Sequence, residues 1–240
     1  MGIYNKLKTV ARQLIGQEVL KGLELDCDQL LLHDWCICPI GINRNSIVLS
    51  LGVGNDIGFD TGMIKTYGCI VHAFDPTPRW IEWIKTLDLP DRFFFHAYAI
   101  GRRDGQMQLF PRMSKGRRST SMMTMMNEGL GADEGISVPV CKLSTITAEL
   151  GVDGIDILKM DIEASEYEVI EDFLSDDVPV YQLLVEFHHR FSSVPVKKTK
   201  ESLDLLYKKG YRIFYISEKA REYSLIHRDT YERYLAGIDQ

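Results

Sequence analysis

A mostly parallel β-sheet flanked by helices on both faces is predicted for this 240-residue chain by three features. From Ser46 onward, short apolar runs alternate with segments of helical period, the signature of an α/β fold. The first run, Ile47-Val48-Leu49-Ser50-Leu51, stops at a glycine-rich turn, Gly52-Val53-Gly54-Asn55-Asp56-Ile57-Gly58. Polar residues then recur just after the strands, where an open sheet of this class binds its ligands.

In chain order, residues 1–45 form a lead-in and 46–240 the main domain. Residues 3–21 place Ile3, Leu7, Val10, Leu14 and Val19 at helical spacing, as an amphipathic helix packed on that domain. Residues 23–45, with Trp35, Cys36, Cys38, Pro39 and Gly41, read as irregular chain covering one edge of the site. A strand over 46–51 and a helix over 57–67 follow. Next come a strand over 69–74, a helix over 77–87 and a strand over 93–99. Strands at 106–110 and 136–141 flank a Met-rich insertion at about 112–135, holding Met113, Met122, Met123, Met125 and Met126. Such a loop can be an adaptable binding surface or can simply fold over the core. A strand over 155–160, a helix to about Phe173, a strand over 180–187 and a helix near 197–209 come next. The chain closes with an antiparallel hairpin, 211–217 and 222–227, at the sheet edge.

Composition narrows the partners. Hydrophobic content of 45% and charged content of 26% are those of an ordinary globular protein. A net charge of −6 gives no global electrostatic case for nucleic acid. A solvated loop explains the basic clusters Arg102-Arg103 and Lys115-Gly116-Arg117-Arg118 at least as well as a phosphate site does. Five cysteines, with no C-x-x-C pair, read as reduced thiols in the cytoplasm. No apolar run approaches the ~18 residues of a membrane span. The expectation is a soluble chain with no membrane span, whose oligomeric state stays open.

Four strand ends carry candidate chemistry. Gly52, Gly54 and Asp56 follow the first strand, and Asp75 the second, 21 positions beyond Gly54. A carboxylate there can accept hydrogen bonds from both hydroxyls of a ribose. Asp161 and Glu163 follow the 155–160 strand, and Glu186 and His188 close the next. A nicotinamide dinucleotide fits less well, because its fingerprint needs a third glycine where Ile57 stands, and Gly58 is one residue late.

Leu51-Gly52-Val53-Gly54-Asn55-Asp56-Ile57-Gly58-Phe59-Asp60 and Val71-His72-Ala73-Phe74-Asp75-Pro76-Thr77 resemble the first two motifs of FkbM-type class I methyltransferases. Leu158-Lys159-Met160-Asp161-Ile162-Glu163-Ala164-Ser165-Glu166 is similar to that family's lysine, aspartate and glutamate signature. Ala99-Ile100-Gly101 with Asp104-Gly105, and Val185-Glu186-Phe187-His188, resemble its later strand ends. Two positions depart from the pattern. Ser50 stands where members often carry a carboxylate ahead of the first glycine, and Ala164 where many carry glycine.

The resemblance implies a Rossmann-like class I fold and an S-adenosylmethionine-dependent methyltransferase acting on a hydroxyl of a sugar, glycan or other small molecule. Asp161, Glu163 and His188 are then the catalytic candidates, since an alcohol acceptor needs a base or a metal. Asp161 and Glu163 are also the expected ligands if a divalent metal is bound. Gly52, Gly54, Asp56, Asp75, Tyr98 and Ala99 are expected to hold the cofactor, and Ser119 and Ser121 to approach the substrate. The competing readings are an NAD-dependent oxidoreductase and a catalytically inactive cofactor-binding module.

Overall fold

A computed structural model describes residues 2–19, 21–114, 117–125, 127, 130 and 134–238. The chain runs α1 (Gly2–Leu14), β1 (Leu30–Leu32), β2 (Trp35–Ile37), β3 (Ile47–Leu51), α2 (Gly58–Tyr67), β4 (Ile70–Phe74), α3 (Pro78–Ile84), β5 (Phe93–His96) and β6 (Ala99–Ile100). It continues through β7 (Gly105–Ser114), β8 (Arg117–Thr124), β9 (Ile136–Cys141), α4 (Leu143–Leu150), β10 (Ile155–Met160), α5 (Glu166–Ser175) and β11 (Val180–Glu186). The last elements are α6 (Val196–Lys208), β12 (Tyr211–Ile216), β13 (Glu222–His227) and α7 (Arg228–Leu235).

Seven strands form the main sheet in the order β12-β13-β11-β10-β3-β4-β5. The five from β11 to β5 pair in parallel, and β13 joins β11 antiparallel, with β12 outside it. The central strands are buried on both faces, so they read as continuous apolar runs rather than alternating ones. On one face α4, α5 and α6 cover Leu49, Leu158 and Leu183 through Ile146, Phe173 and Leu206. On the other, α2, α3 and α7 and the β1–β2 hairpin cover Val48, Val71 and Leu184. This is the mostly parallel, two-faced α/β sheet expected from the sequence.

The lead-in is fastened rather than loose. Buried Gln182 on β11 receives the Cys38 backbone N–H at 2.9 Å and donates to the Cys38 carbonyl at 2.7 Å. Ser224 Oγ donates to the Cys36 carbonyl at 2.7 Å. The first helix differs from expectation, since Leu7, Val10 and Leu14 are exposed instead of packed.

The region around 112–135 also departs from a structureless insertion. β7 extends to Ser114 and pairs antiparallel with β8, giving a second sheet in the order β6-β9-β7-β8. Met123 and Met125 pack on its small core of Ala99, Leu109, Val138 and Val140. Among the described residues, no helix is long and apolar enough to cross a membrane.

Candidate active site

The strand order reverses between β3 and β10, and their carboxyl ends nearly touch. Gly52 lies at φ +77°, and a Cβ there would stand 1.8 Å from the Asp161 carbonyl oxygen. Glycine is therefore demanded at 52 by the meeting of two strand ends. Gly54, at φ +59°, has nothing within 4 Å of an added Cβ and opens onto free space. Lys159 braces the turn from below, donating from Nζ to the Gly52 carbonyl at 3.0 Å under the Trp35 ring.

A cavity of about 500 Å³ lies over this turn. Gly52, Gly54, Asp56, Asp75, Tyr98, Ala99, Asp161 and Glu163 all line it, so the structure gathers six expected cofactor residues and two expected catalytic ones at one place. Asp75 Oδ2 accepts the Gly54 N–H at 2.9 Å, and Oδ1 accepts the Thr77 N–H at 2.9 Å. Each carboxylate oxygen retains a second acceptor position. Asp56 Oδ1 accepts the Gly58 N–H at 2.8 Å while Oδ2 pairs with His33 Nε2 at 2.7 Å. Phe74 and Tyr98, 5.5 Å apart edge to face, supply an apolar bay, and burial pushes the Tyr98 phenol up to about 12.

A second cavity, about 370 Å³, shares Gly52, Val53, Asp56 and Asp161 with the first. Its other walls come from the lead-in hairpin (His33, Asp34, Trp35) and the terminal hairpin (Ser217, Glu218, Lys219, Glu222). Asp60, 1% exposed, and Lys159 form part of its lining. Burial pushes the Asp60 carboxyl up against the pull of the Lys159 charge. A third hollow, about 460 Å³ around Gly154 and Pro179, lies at the amino ends of β10 and β11 and contains none of the strand-end residues.

The turn between β10 and α5 holds the catalytic candidates under strain. Glu163 and Ala164 both take left-handed backbone, at φ +50° and +82°. Side chains with a Cβ resist that conformation, and such residues concentrate at functional sites. Glu166, fully buried, stabilises the turn by accepting the Ile162 N–H at 3.0 Å and the Ala164 N–H at 3.3 Å. The same oxygen faces His188 Nδ1 at 2.8 Å. His188 is buried, which opposes its charge, yet Glu166, Asp161 and Glu163 outweigh burial and lift its pKa to about 9.

Glu163 Oε2 is buried without a hydrogen bond, 3.8 Å from Arg112 Nη1. Burial raises its carboxyl to about 6, with Asp161 and Glu166 adding to the rise and His188 and Arg112 opposing it. The second sheet reaches this point through Thr124 Oγ1, which donates to the Glu163 carbonyl at 2.8 Å.

Of the two expected substrate residues, Ser119 lines neither of these two cavities. Ser119 lies on β8, but that strand lines the first cavity with Met123 and Thr124, nearer its end. The side chain of Ser121 lies outside the described residues. Glu166 and Lys159 were legible only as letters of a motif, because their roles are contacts to backbone that the sequence does not place. Glu186, at the last position of β11, carried the strand-end signal and lines the second cavity.

Residues 41–213 match the methyltransferase FkbM domain. The chain belongs to this family. It is similar to methyltransferase-like protein 24 of Homo sapiens, 27% identical over 184 residues that cover 72% of this chain and 43% of that one. The Rattus norvegicus protein of that name is 28% identical over 203 residues, covering 77% and 48%. The chain thus spans less than half the length of these curated relatives. A Methanococcus jannaschii fibrillarin pre-rRNA processing protein aligns at 14% identity and TM-score 0.47, over 88% of this chain and 87% of that one. So distant a likeness adds nothing to the argument.

The chain therefore carries an FkbM-type methyltransferase domain, and S-adenosylmethionine is the methyl donor expected of it. The first cavity fits that donor in size and chemistry. It combines an open glycine turn, a carboxylate with acceptor positions to spare and an aromatic bay.

Proposed function

We propose that the chain methylates a hydroxyl oxygen of a sugar, glycan or other polyhydroxyl small molecule. The observation that supports this reading best is the shared wall of the two cavities, where Asp161 faces both. The first cavity takes the donor. Asp75 receives the ribose hydroxyls, Phe74, Tyr98 and Ala99 flank the adenine, and Gly52, Gly54 and Asp56 border the amino-acid end. Bound there, the donor supplies a sulfonium methyl whose departure leaves a neutral thioether.

The second cavity takes the acceptor. Its lining is rich in carboxylates, including Asp34, Glu186, Glu218 and Glu222. Carboxylates accept hydrogen bonds from hydroxyl groups and repel anionic acceptors. Because the leaving group is already good, the protein's main contribution is orientation, and the remaining need is a proton acceptor. Asp161 and Glu163 are the candidates for it, with His188 Nε2 beside them at 3.6 and 3.9 Å. The thiols, none in a disulfide among the described residues, support placement in the reducing cytoplasm.

The test is methyl transfer from isotopically labelled S-adenosylmethionine to panels of polyols, amines and phosphorylated sugars. Label on neutral polyols, lost in Asp161→Asn, is the expected result. Transfer only to amines, or turnover unchanged in Asp161→Asn, contradicts the reading. Tight donor binding with no turnover on any panel makes the chain a binding module instead.

A further inference from the structure

Asp161, Glu186 and His188 converge where β10 and β11 end side by side. The register pairs Met160 with Val185, so the residues just beyond these two positions emerge together at the sheet's carboxyl edge. One ligand atom from each of the three lies within 4.8 Å of the others. Glu163, the expected partner of Asp161 for a metal, is absent from this group and faces Arg112.

The histidine has the features of a ligand rather than of a packed side chain. It is 6% exposed, and its Nδ1 faces Glu166, a pairing that fixes the ring and aims Nε2 at the carboxylates. Among the described residues Nε2 itself has no hydrogen bond, with Asp161 Oδ1 at 3.6 Å and Glu163 Oε2 at 3.9 Å. Glu186 gives Oε1 to Arg221 Nη1 at 3.0 Å and keeps its other oxygen. Four carboxylates (Asp161, Glu163, Glu166, Glu186) thus meet two guanidiniums and one imidazole. Among the described residues carboxylates outnumber cationic side chains here, and Asp161 and Glu186 open onto the second cavity, which Lys159 also lines.

We infer that Asp161, Glu186 and His188 form a divalent-cation site in the floor of the acceptor cavity, with open positions for an acceptor hydroxyl. Two carboxylates and one imidazole suit Mn²⁺ or Mg²⁺. Three protein ligands leave the remaining octahedral positions to water or to the acceptor, favouring acceptors that offer adjacent oxygens. Glu166 is the positioning residue behind the histidine. The inference rests on the acceptor reading of the second cavity, but the cation can be tested without any acceptor.

The probe is Mn²⁺, titrated into the metal-stripped full chain and followed by loss of the free-ion electron paramagnetic resonance signal and by calorimetry. One site per chain is expected, competed by Mg²⁺. Glu186→Gln should abolish it, and Glu166→Gln should weaken it about 10- to 100-fold. Glu163→Gln should leave it in place. Circular dichroism and S-adenosylhomocysteine binding on the same samples separate loss of the site from loss of the fold. No Mn²⁺ binding by a wild type that binds S-adenosylhomocysteine overturns the cation site and leaves the methyltransferase reading standing. Equal Mn²⁺ binding by wild type and Glu186→Gln overturns it as well. Failure to bind S-adenosylhomocysteine strikes the donor reading separately.

Discussion

Two histidine sites on the sheet, one half-buried and one buried, have opposite fates. On the β4–β5 flank, His72 Nδ1 meets His96 Nε2 at 3.0 Å, His72 stacks on Phe94 at 5.2 Å, and His96 stacks on Phe74 at 4.6 Å. Burial, reinforced by the neighbouring imidazole, lowers His72 to about 4. At the switch point, His188 is more deeply buried yet raised to about 9 by three carboxylates. Burial alone disfavours a charged imidazole, and nearby opposite charge reverses that. The flank is built for packing, whereas the switch point accumulates charge and strained backbone.

The most drastic way to break this contrast is at the junction that gathers the charge. Gly52→Ala should destabilise the chain by more than about 4 kcal/mol in urea unfolding, because the new methyl meets the Asp161 carbonyl at 1.8 Å. A near-neutral result would mean that the strand ends can separate freely.

Removing one charge without removing bulk comes next. Glu166→Gln should lower methyl-transfer rate about 10- to 100-fold. In the metal-stripped chain it should also bring the His188 pKa down from about 9 toward 6.5, read by nuclear magnetic resonance titration of the imidazole. Rate loss without movement of the pKa would assign Glu166 to the backbone turn alone.

The flank provides the reverse experiment. The folded His72 pKa, about 4, lies below its ordinary 6.5, so its contribution to stability is complete above pH 6.5. That contribution is lost as pH falls from 6.5 toward 4, where the unfolded chain binds the proton first. The melting temperature should fall by a few °C over that window, and less so in His72→Phe.

The smallest effect is at Ala164, whose φ of +82° suits glycine. Ala164→Gly should stabilise the chain by roughly 1 kcal/mol in urea unfolding, since the left-handed penalty outweighs the entropy that glycine adds to the unfolded state.

How legible these regions were depended on their physics. β3, β10 and β11 are buried on both faces, so their apolar runs stood out. β8, with the sequence RRSTSMMT, has no such run and emerges only by pairing with β7. α7 buries only Tyr231, leaving no apolar period to detect. Asp161, Glu163 and Asp75 were legible because strand ends are where this fold binds ligands. The pairing of Asp161 and His188 was legible too, but Glu186 as the third member of their group was not, because it depends on β10 and β11 being neighbours. The strain at Ala164 was hidden too, since the small residue there looked like a simple replacement for glycine.

Binding of S-adenosylhomocysteine by calorimetry tests the central claim most directly, comparing wild type, Asp75→Ala and Asp161→Asn. One site is expected in the wild type, with at least about tenfold weaker binding in Asp75→Ala and near-normal binding in Asp161→Asn. Absence of binding in the wild type, or Asp75→Ala binding as tightly as wild type, would contradict that claim.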